Sequence, residues 1–142
     1  RVRKWFFNSN IITFKNHELW FERYAKKNEF VFIIEYYGNP VGQVSLYNID
    51  KSLKKAEYGR LIIGEPHALK KGIARKATSL LLDKAFNEWR ILEVYLEVFL
   101  SNTDAIAVYC ECGFKGLEPK GNIMKMSCDS VDWFDNYFIK KE

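Results

Sequence analysis

The chain has 142 residues and a formal net charge of +4, and it is 48% hydrophobic, 28% charged and 16% aromatic. That length suffices for one domain with its own apolar core, and the composition excludes a disordered polymer. No apolar run approaches the roughly 18 residues needed to cross a bilayer, and no apolar signal segment follows the basic start Arg1-Val2-Arg3-Lys4-Trp5, so neither a membrane partner nor secretion is expected.

Residues 1–8, with Trp5, Phe6 and Phe7, read as a helix end or an irregular apolar segment. Asn16 can cap a short helix from His17 to about Lys26, with Trp20, Phe21 and Tyr24 at inward spacings. Phe30 to Tyr37 is an apolar, β-prone run ending at the turn signal Gly38-Asn39-Pro40, and Val41 to Tyr47 is its hairpin partner. After the polar turn Asp50 to Lys55 comes a strand from about Glu57 to Ile63, then a loop, Pro66 to Lys71. The helix signal over Ile73 to Trp89 is strong. Ala74, Ala77, Leu81 and Ala85 form its apolar stripe, with Lys76, Ser79, Asp83 and Asn87 opposite.

Leu92 to Val98 alternates: Leu92, Val94, Leu96 and Val98 face one way, Glu93, Tyr95 and Glu97 the other. After Ser101-Asn102 a short helix runs to Cys112 and stops at Gly113, a glycine suited to a left-handed cap. Gly121 to Cys128 is the last strand. The order helix, three strands, helix, strand, helix, strand predicts a single α/β (α+β) domain around a mixed sheet. The tail, residues 129–142, carries Trp133, Phe134, Tyr137 and Phe138 at helical spacing. This stripe either packs onto the domain or forms a homodimer contact.

Cys110, Cys112 and Cys128 are odd in number and poorly spaced for disulfides, and His17 and His67 do not complete a metal-ligand pattern. Reduced thiols and no metal are therefore expected, which points to the cytoplasm. The lysine pairs are scattered, and only Lys70-Lys71 sits where a specific anion is suggested. The aromatics fall in apolar elements rather than between lysines on one face, which argues against nucleic acid.

Two stretches carry chemistry. In the first, the strand Leu61-Ile62-Ile63 leads through a loop to Leu69-Lys70-Lys71-Gly72-Ile73-Ala74-Arg75 at a helix start. Unpaired N–H groups of a first helical turn attract phosphate, and the small residues Gly72 and Ala74 let a pyrophosphate approach the backbone. No G-K-[ST] follows, so this is not a P-loop. The other stretch is L-E-V-F-L-S-N-T-D-A-I-A-V-Y-C-E-C-G-F, Leu96 to Phe114.

Together these stretches resemble the GNAT acetyltransferase superfamily: Leu96 to Phe114 is similar to its motif B, and Lys71-Gly72-Ile73-Ala74 to the end of its motif A. The likeness covers about residues 1–128. Leu69 stands where the motif usually has Gln or Arg, and the family's first strand is missing before residue 1. The resemblance implies a mixed, mostly antiparallel sheet flanked by helices, with acetyl-CoA as acetyl donor. It implies that Leu61, Ile62 and Ile63 pair with the pantetheine arm, that the amides of Leu69, Lys70, Lys71, Gly72, Ile73 and Ala74 hold the pyrophosphate, and that Asn102 bonds to the CoA arm. Tyr109 resembles the acid that protonates the departing thiolate, and Glu97 the base that deprotonates the amine.

The residues support these roles separately. An amine attacks a thioester only as the free base, so a carboxylate near the site has a task. Glu97, on the polar face of an otherwise buried strand, is costly without one unless a nearby cation pairs with it. Tyr109 shares a helix face with Ile106 and packs in the core if it is not the acid. Glu57, Glu65 and His67 are the alternative bases. The stretches Phe14 to Glu22 and Gly42 to Asp50 resemble amino-sugar-nucleotide acetyltransferases of the pseudaminic acid pathway, and also ribosomal-protein N-terminal acetyltransferases. The implied acceptor is an amino sugar or, alternatively, a peptide amine. A non-catalytic CoA-binding domain is the reading of another class.

Overall fold

The computed structural model describes residues 11–13, 19–26, 29–64 and 72–138. Strand β1, Ile11–Thr13, pairs with β2, Leu19–Lys26, which pairs with β3, Glu29–Tyr36. Strand β4, Asn39–Asp50, and β5, Lys55–Ile63, continue the antiparallel meander. Helix α1, Ile73–Asp83, widens into a π-helical turn, Lys84–Glu88, before β6, Glu93–Phe99. Helix α2, Thr103–Cys112, the short strand β7, Lys115–Gly116, and β8, Ile123–Asp129, follow. A final helix α3, Ser130–Trp133, runs into another π-helical turn, Phe134–Phe138.

The described strands form one eight-stranded sheet in the order β1-β2-β3-β4-β5-β6-β8-β7. Only β5 and β6 run parallel. The helix between them accounts for this, because parallel neighbours need a long crossover whereas antiparallel ones need only a turn. Along β4, β5, β6 and β8 the core-facing residues alternate: Val44 and Leu46, Ala56 and Tyr58, Val94, Leu96 and Val98, Met126 and Cys128. They join Ile73, Ala77, Leu81, Leu82 and Ala85 of the first helical segment, with Cys112 and Phe114, in one apolar cluster. Truncating a buried leucine such as Leu81 to alanine would cost about 2–5 kcal/mol. Trp133 is fully buried, with its ring 5.5 Å from that of Phe86, so this part of the tail packs onto the domain.

Three expectations change. Leu19–Lys26 is a strand rather than a helix: Leu19 lies opposite Tyr36 and Lys26 opposite Glu29. The aromatic spacing fits a helix better than a strand, but the long apolar β3 offers this segment a ladder, and pairing overrides the local pattern. Among the described residues five strands therefore precede α1. Strand β6 starts at Glu93, and Leu92 is exposed instead of joining the core face. The helix predicted to Trp89 is α-helical only to Asp83. The predictions for residues 1–8, the Asn16 cap and the Pro66 to Lys71 loop fall outside the described residues. Among the described residues no helix is long and apolar enough to cross a membrane.

Candidate active site

The parallel ladder between β5 and β6 is short. It pairs Lys55 with Glu93, Ala56 with Val94 and Glu57 with Tyr95, and goes no further. The departure begins at a bulge in β5. Gln43 and Ser45 of β4 face Ile62 and Gly59, so two steps in β4 are matched by three in β5. Arg60, in the extra position, has a left-handed φ of 56°. A bulge sharpens strand twist, and Gly59 suits it: a Cβ there would sit 2.6 Å from the Tyr47 hydroxyl.

The splayed strands bound a cleft of about 340 Å³ that takes residues from both faces of the sheet. Tyr58, Leu96 and Val98 contribute from the helix side, with Tyr109 from α2. Glu97 and Phe99 alternate with them in β6 and so belong to the opposite face. Gly59, Arg60, Leu61, Asn102 and Ile123 complete the surroundings of that opening.

Tyr109 owes its place to the ends of α2. Asn102 caps the helix, its Oδ1 accepting the Ala105 N–H at 3.3 Å, and Gly113 closes it at φ 110°. The Tyr109 ring packs edge-on against Tyr58 at 5.8 Å and Phe114 at 5.7 Å. Burial, with a smaller contribution from Cys112, pushes its phenol above the ordinary tyrosine value, so it carries its proton at neutral pH. Tyr58 is fully buried. Its hydroxyl lies 2.5 Å from Thr78 Oγ1, which donates to the Ala74 carbonyl at 2.7 Å, so Tyr58 is the donor to Thr78.

The other face is acidic. Glu97 stands opposite Lys125 in the β6–β8 register and is exposed. It therefore borders the cleft without being desolvated, contrary to the burial expected for it from sequence. Glu57 accepts from Asn48 Nδ2 at 3.0 Å. The phenols of Tyr47 and Tyr95 are raised first by burial and next by the field of Glu57. Cations offset part of this charge: Lys55 lies 3.3 Å from Glu93, Lys125 sits over the Tyr95 ring, and Arg60 pairs with Glu29 across the Tyr47 ring.

The predicted cofactor residues divide. Leu61, Asn102, Glu97 and Tyr109 meet at the cleft. Ile62 is exposed and borders a hollow between the ends of β4 and β5, while Ile63 packs against the core. Gly72, at φ 70°, immediately precedes α1, whose first turn carries no acidic residue. Ile73 is buried and packs in the core cluster. Gly72, Ile73 and Ala74 do not line the cleft, and Glu65, His67, Leu69, Lys70 and Lys71 lie outside the described residues. Tyr58, Arg60 and Phe99 were not anticipated. Glycine inside the strand pattern at position 59 was the available signal of a bulge there. Among the described residues no cluster of His, Cys, Asp and Glu could hold a metal.

Comparison with known proteins agrees with this geometry. A family model described as acetyltransferase (GNAT) family matches residues 1–114. The spermidine N(1)-acetyltransferase of Escherichia coli K12 is 29% identical over 113 residues, which is 80% of this chain and 60% of the relative. That of Vibrio cholerae is 36% identical over 76 residues, 54% of this chain and 43% of the relative. The chain thus spans about half of the length of these curated relatives. Among solved structures, a Vibrio cholerae spermidine N-acetyltransferase in complex with CoA and spermine superposes with a TM-score of 0.68 at 27% identity, covering 76% of this chain and 69% of that one. A dodecameric form of the Vibrio cholerae enzyme gives 0.69 at 26%, covering 79% and 71%. These relatives are spermidine acetyltransferases, in place of the amino-sugar and ribosomal-protein enzymes that the sequence resemblance had implied.

Proposed function

The chain belongs to the GNAT acetyltransferase family, and from that premise we propose that it transfers the acetyl group of acetyl-CoA to a primary amine of a polyamine. The observation that carries the reading is the cleft through the sheet, with Tyr109 contributed from the helix side and Glu97 from the other. Two substrates entering from opposite faces would meet there.

On the helix side, no ladder pairs the β5 backbone from Gly59 to Ile63 with β6. That edge suits the amides of a pantetheine arm, as buried backbone groups require partners. The left-handed Gly72 and the N–H groups after it offer the pyrophosphate an anion-binding helix start. In the transfer, the amine nitrogen attacks the thioester carbonyl and Glu97, directly or through water, takes the amine proton. Collapse of the tetrahedral intermediate breaks the C–S bond, and the thiolate takes the proton of Tyr109, whose raised pKa keeps that proton available. Oxygen and nitrogen of the Asn102 carboxamide play separate parts, the oxygen capping α2 and the nitrogen reaching the CoA arm.

The acceptor assignment rests on charge. Glu57, Glu93 and Glu97 share one face of adjacent strands, with Glu57 opposite Tyr47 on one side and Tyr95 on the other. A polycation is favoured there more than a nucleotide-linked amino sugar, whose phosphates are anionic. The spermidine and spermine named for the relatives fit that chemistry. Coenzyme release should be measured with spermidine, spermine, an amino-sugar nucleotide and an N-terminal peptide as acceptors. Polyamines are expected to give the highest kcat/KM. A higher value for the sugar nucleotide or peptide refutes the acceptor, and acetyl-CoA binding without any turnover refutes the enzyme.

A further inference from the structure

At the end of the sheet away from the cleft, the β4–β5 turn and the segment before β6 enclose a pocket of about 330 Å³. Phe30, Ile49, Trp89 and Ile91 give it an apolar lining, and Lys51, Lys54 and Arg90 surround it with positive charge. Three backbone irregularities converge here. The π-helical turn Lys84–Glu88 ends with the Trp89 N–H bonded to the Lys84 carbonyl at 3.3 Å. This extra residue in the turn rotates Trp89 away from where an α-helix would carry it, and its ring stacks on Phe30 at 4.8 Å and on Phe32 at 5.8 Å. Arg90 and Lys54 both adopt left-handed backbone, with φ 58° and 57°. The Lys54 carbonyl is tied by the N–H groups of Leu92 at 2.8 Å and Glu93 at 3.3 Å. Non-glycine residues in this region are strained, and such strain collects at ligand sites.

None of Lys51, Lys54 and Arg90 pairs with a carboxylate among the described residues. Asp50 also borders the pocket, but its Oδ1 accepts the N–H groups of Ser52 at 2.9 Å and Leu53 at 3.0 Å. Three cations thus stand against one carboxylate engaged in its own turn. The three cations are exposed to solvent, so they are open to an anion; a wholly apolar ligand would make no contact with them, and a simple anion would make none with the apolar lining. A flat apolar ring bearing a multiply charged group satisfies both, and the volume is that of one small ligand rather than a polymer.

We propose that this pocket binds a mononucleotide, with its base against the Trp89 side and its phosphate among Lys51, Lys54 and Arg90. The site shares no residue with the cleft and does not depend on the acetyl-transfer reading. Because acetyl-CoA itself contains a nucleotide, the test must separate the two places. The full chain, labelled with ¹⁵N, should be titrated with AMP, and in separate arms with adenosine and with inorganic phosphate. AMP is expected to shift the Trp89 indole N–H and the Lys54 and Arg90 amides saturably, more tightly than either half-ligand. Lys51→Ala and Arg90→Ala should each weaken that binding roughly tenfold or more, whereas Gly72→Glu should leave it unchanged. Lys51 is on an exposed turn, so its variant stays informative if Arg90→Ala fails to fold. The proposal is overturned if Trp89 does not respond at millimolar AMP, if the response disappears in Gly72→Glu, or if inorganic phosphate binds as tightly as AMP.

Discussion

Replacing Tyr109 by phenylalanine removes one oxygen and leaves the packing of its ring. The edge-on contacts to Tyr58 and Phe114 belong to the ring, and the hydroxyl forms no hydrogen bond among the described residues, so stability should change by no more than about 0.5 kcal/mol. If the hydroxyl protonates the departing thiolate, the loss appears in the chemical step alone. General acid catalysis contributes about 10²–10⁴-fold, or about 2.7–5.4 kcal/mol at 1.36 kcal/mol per decade. The assay is release of free CoA thiol at saturating spermidine and acetyl-CoA, beside a thermal melt and calorimetry of acetyl-CoA binding. Expected are an unchanged melt, similar cofactor affinity and the predicted fall in kcat. The pH profile gives an independent check. An acid must be protonated to act, and burial raises this phenol above the usual tyrosine value of about 10. Its activity should therefore persist through neutral pH and fall only as pH rises through that raised value. Equal kcat for variant and parent would refute the assignment and return Tyr109 to the core.

Gly72→Glu should weaken acetyl-CoA binding severely in calorimetry, because it places a carboxylate at the helix start; Gly72→Ala, which carries only the left-handed strain of about 1–2 kcal/mol, should lower the melting temperature yet retain most binding. Glu97→Gln should flatten or displace the acidic limb of kcat/KM, and raising the pH should partly rescue it as the amine loses its proton in solution; a lower melting temperature with an unchanged profile would make Glu97 a structural partner of Lys125 instead. Burial holds the thiols of Cys112 and Cys128 up at about 12 while Cys110 is exposed, so a thiol reagent at neutral pH should label one cysteine quickly and the other two only on unfolding.

The parts of the fold legible in sequence are those where local pattern and tertiary context agree. The alternation in β6 and the Gly113 cap of α2 marked their elements, because each cue acts over a few residues. Leu19–Lys26 misled because Trp20, Phe21 and Tyr24 have helical spacing, and the choice was made by the edge that β3 offers for pairing. The π-helical turn at Lys84–Glu88 left no comparable mark: the apolar stripe continues through Ala85 and Phe86, both buried. In the cleft, Tyr109 and Glu97 were visible as members of a string. Tyr58 and Arg60 were not, since their positions follow from a register shift between β4 and β5 that belongs to the pair of strands.

That register shift also bears on the order of the proposed chemistry. Tyr109 enters the cleft from the helices and Glu97 from the opposite face, so a proton taken by one does not pass straight to the other. The amine would lose its proton on its own side of the sheet, and the thiolate would gain one on the other. A covalent acyl-enzyme would need a nucleophile at the meeting point, and the described residues around the cleft include no cysteine, serine or histidine. The nearby Cys112 is buried, and its Sγ lies 3.5 Å from the Arg75 carbonyl. Burial also raises its pKa to about 12, leaving almost none of it as thiolate at neutral pH. Direct attack with both substrates bound, as proposed above, requires no such nucleophile. On that view the splay of β5 from β6 is what lets one sheet separate donor from acceptor while bringing the thioester and the amine together.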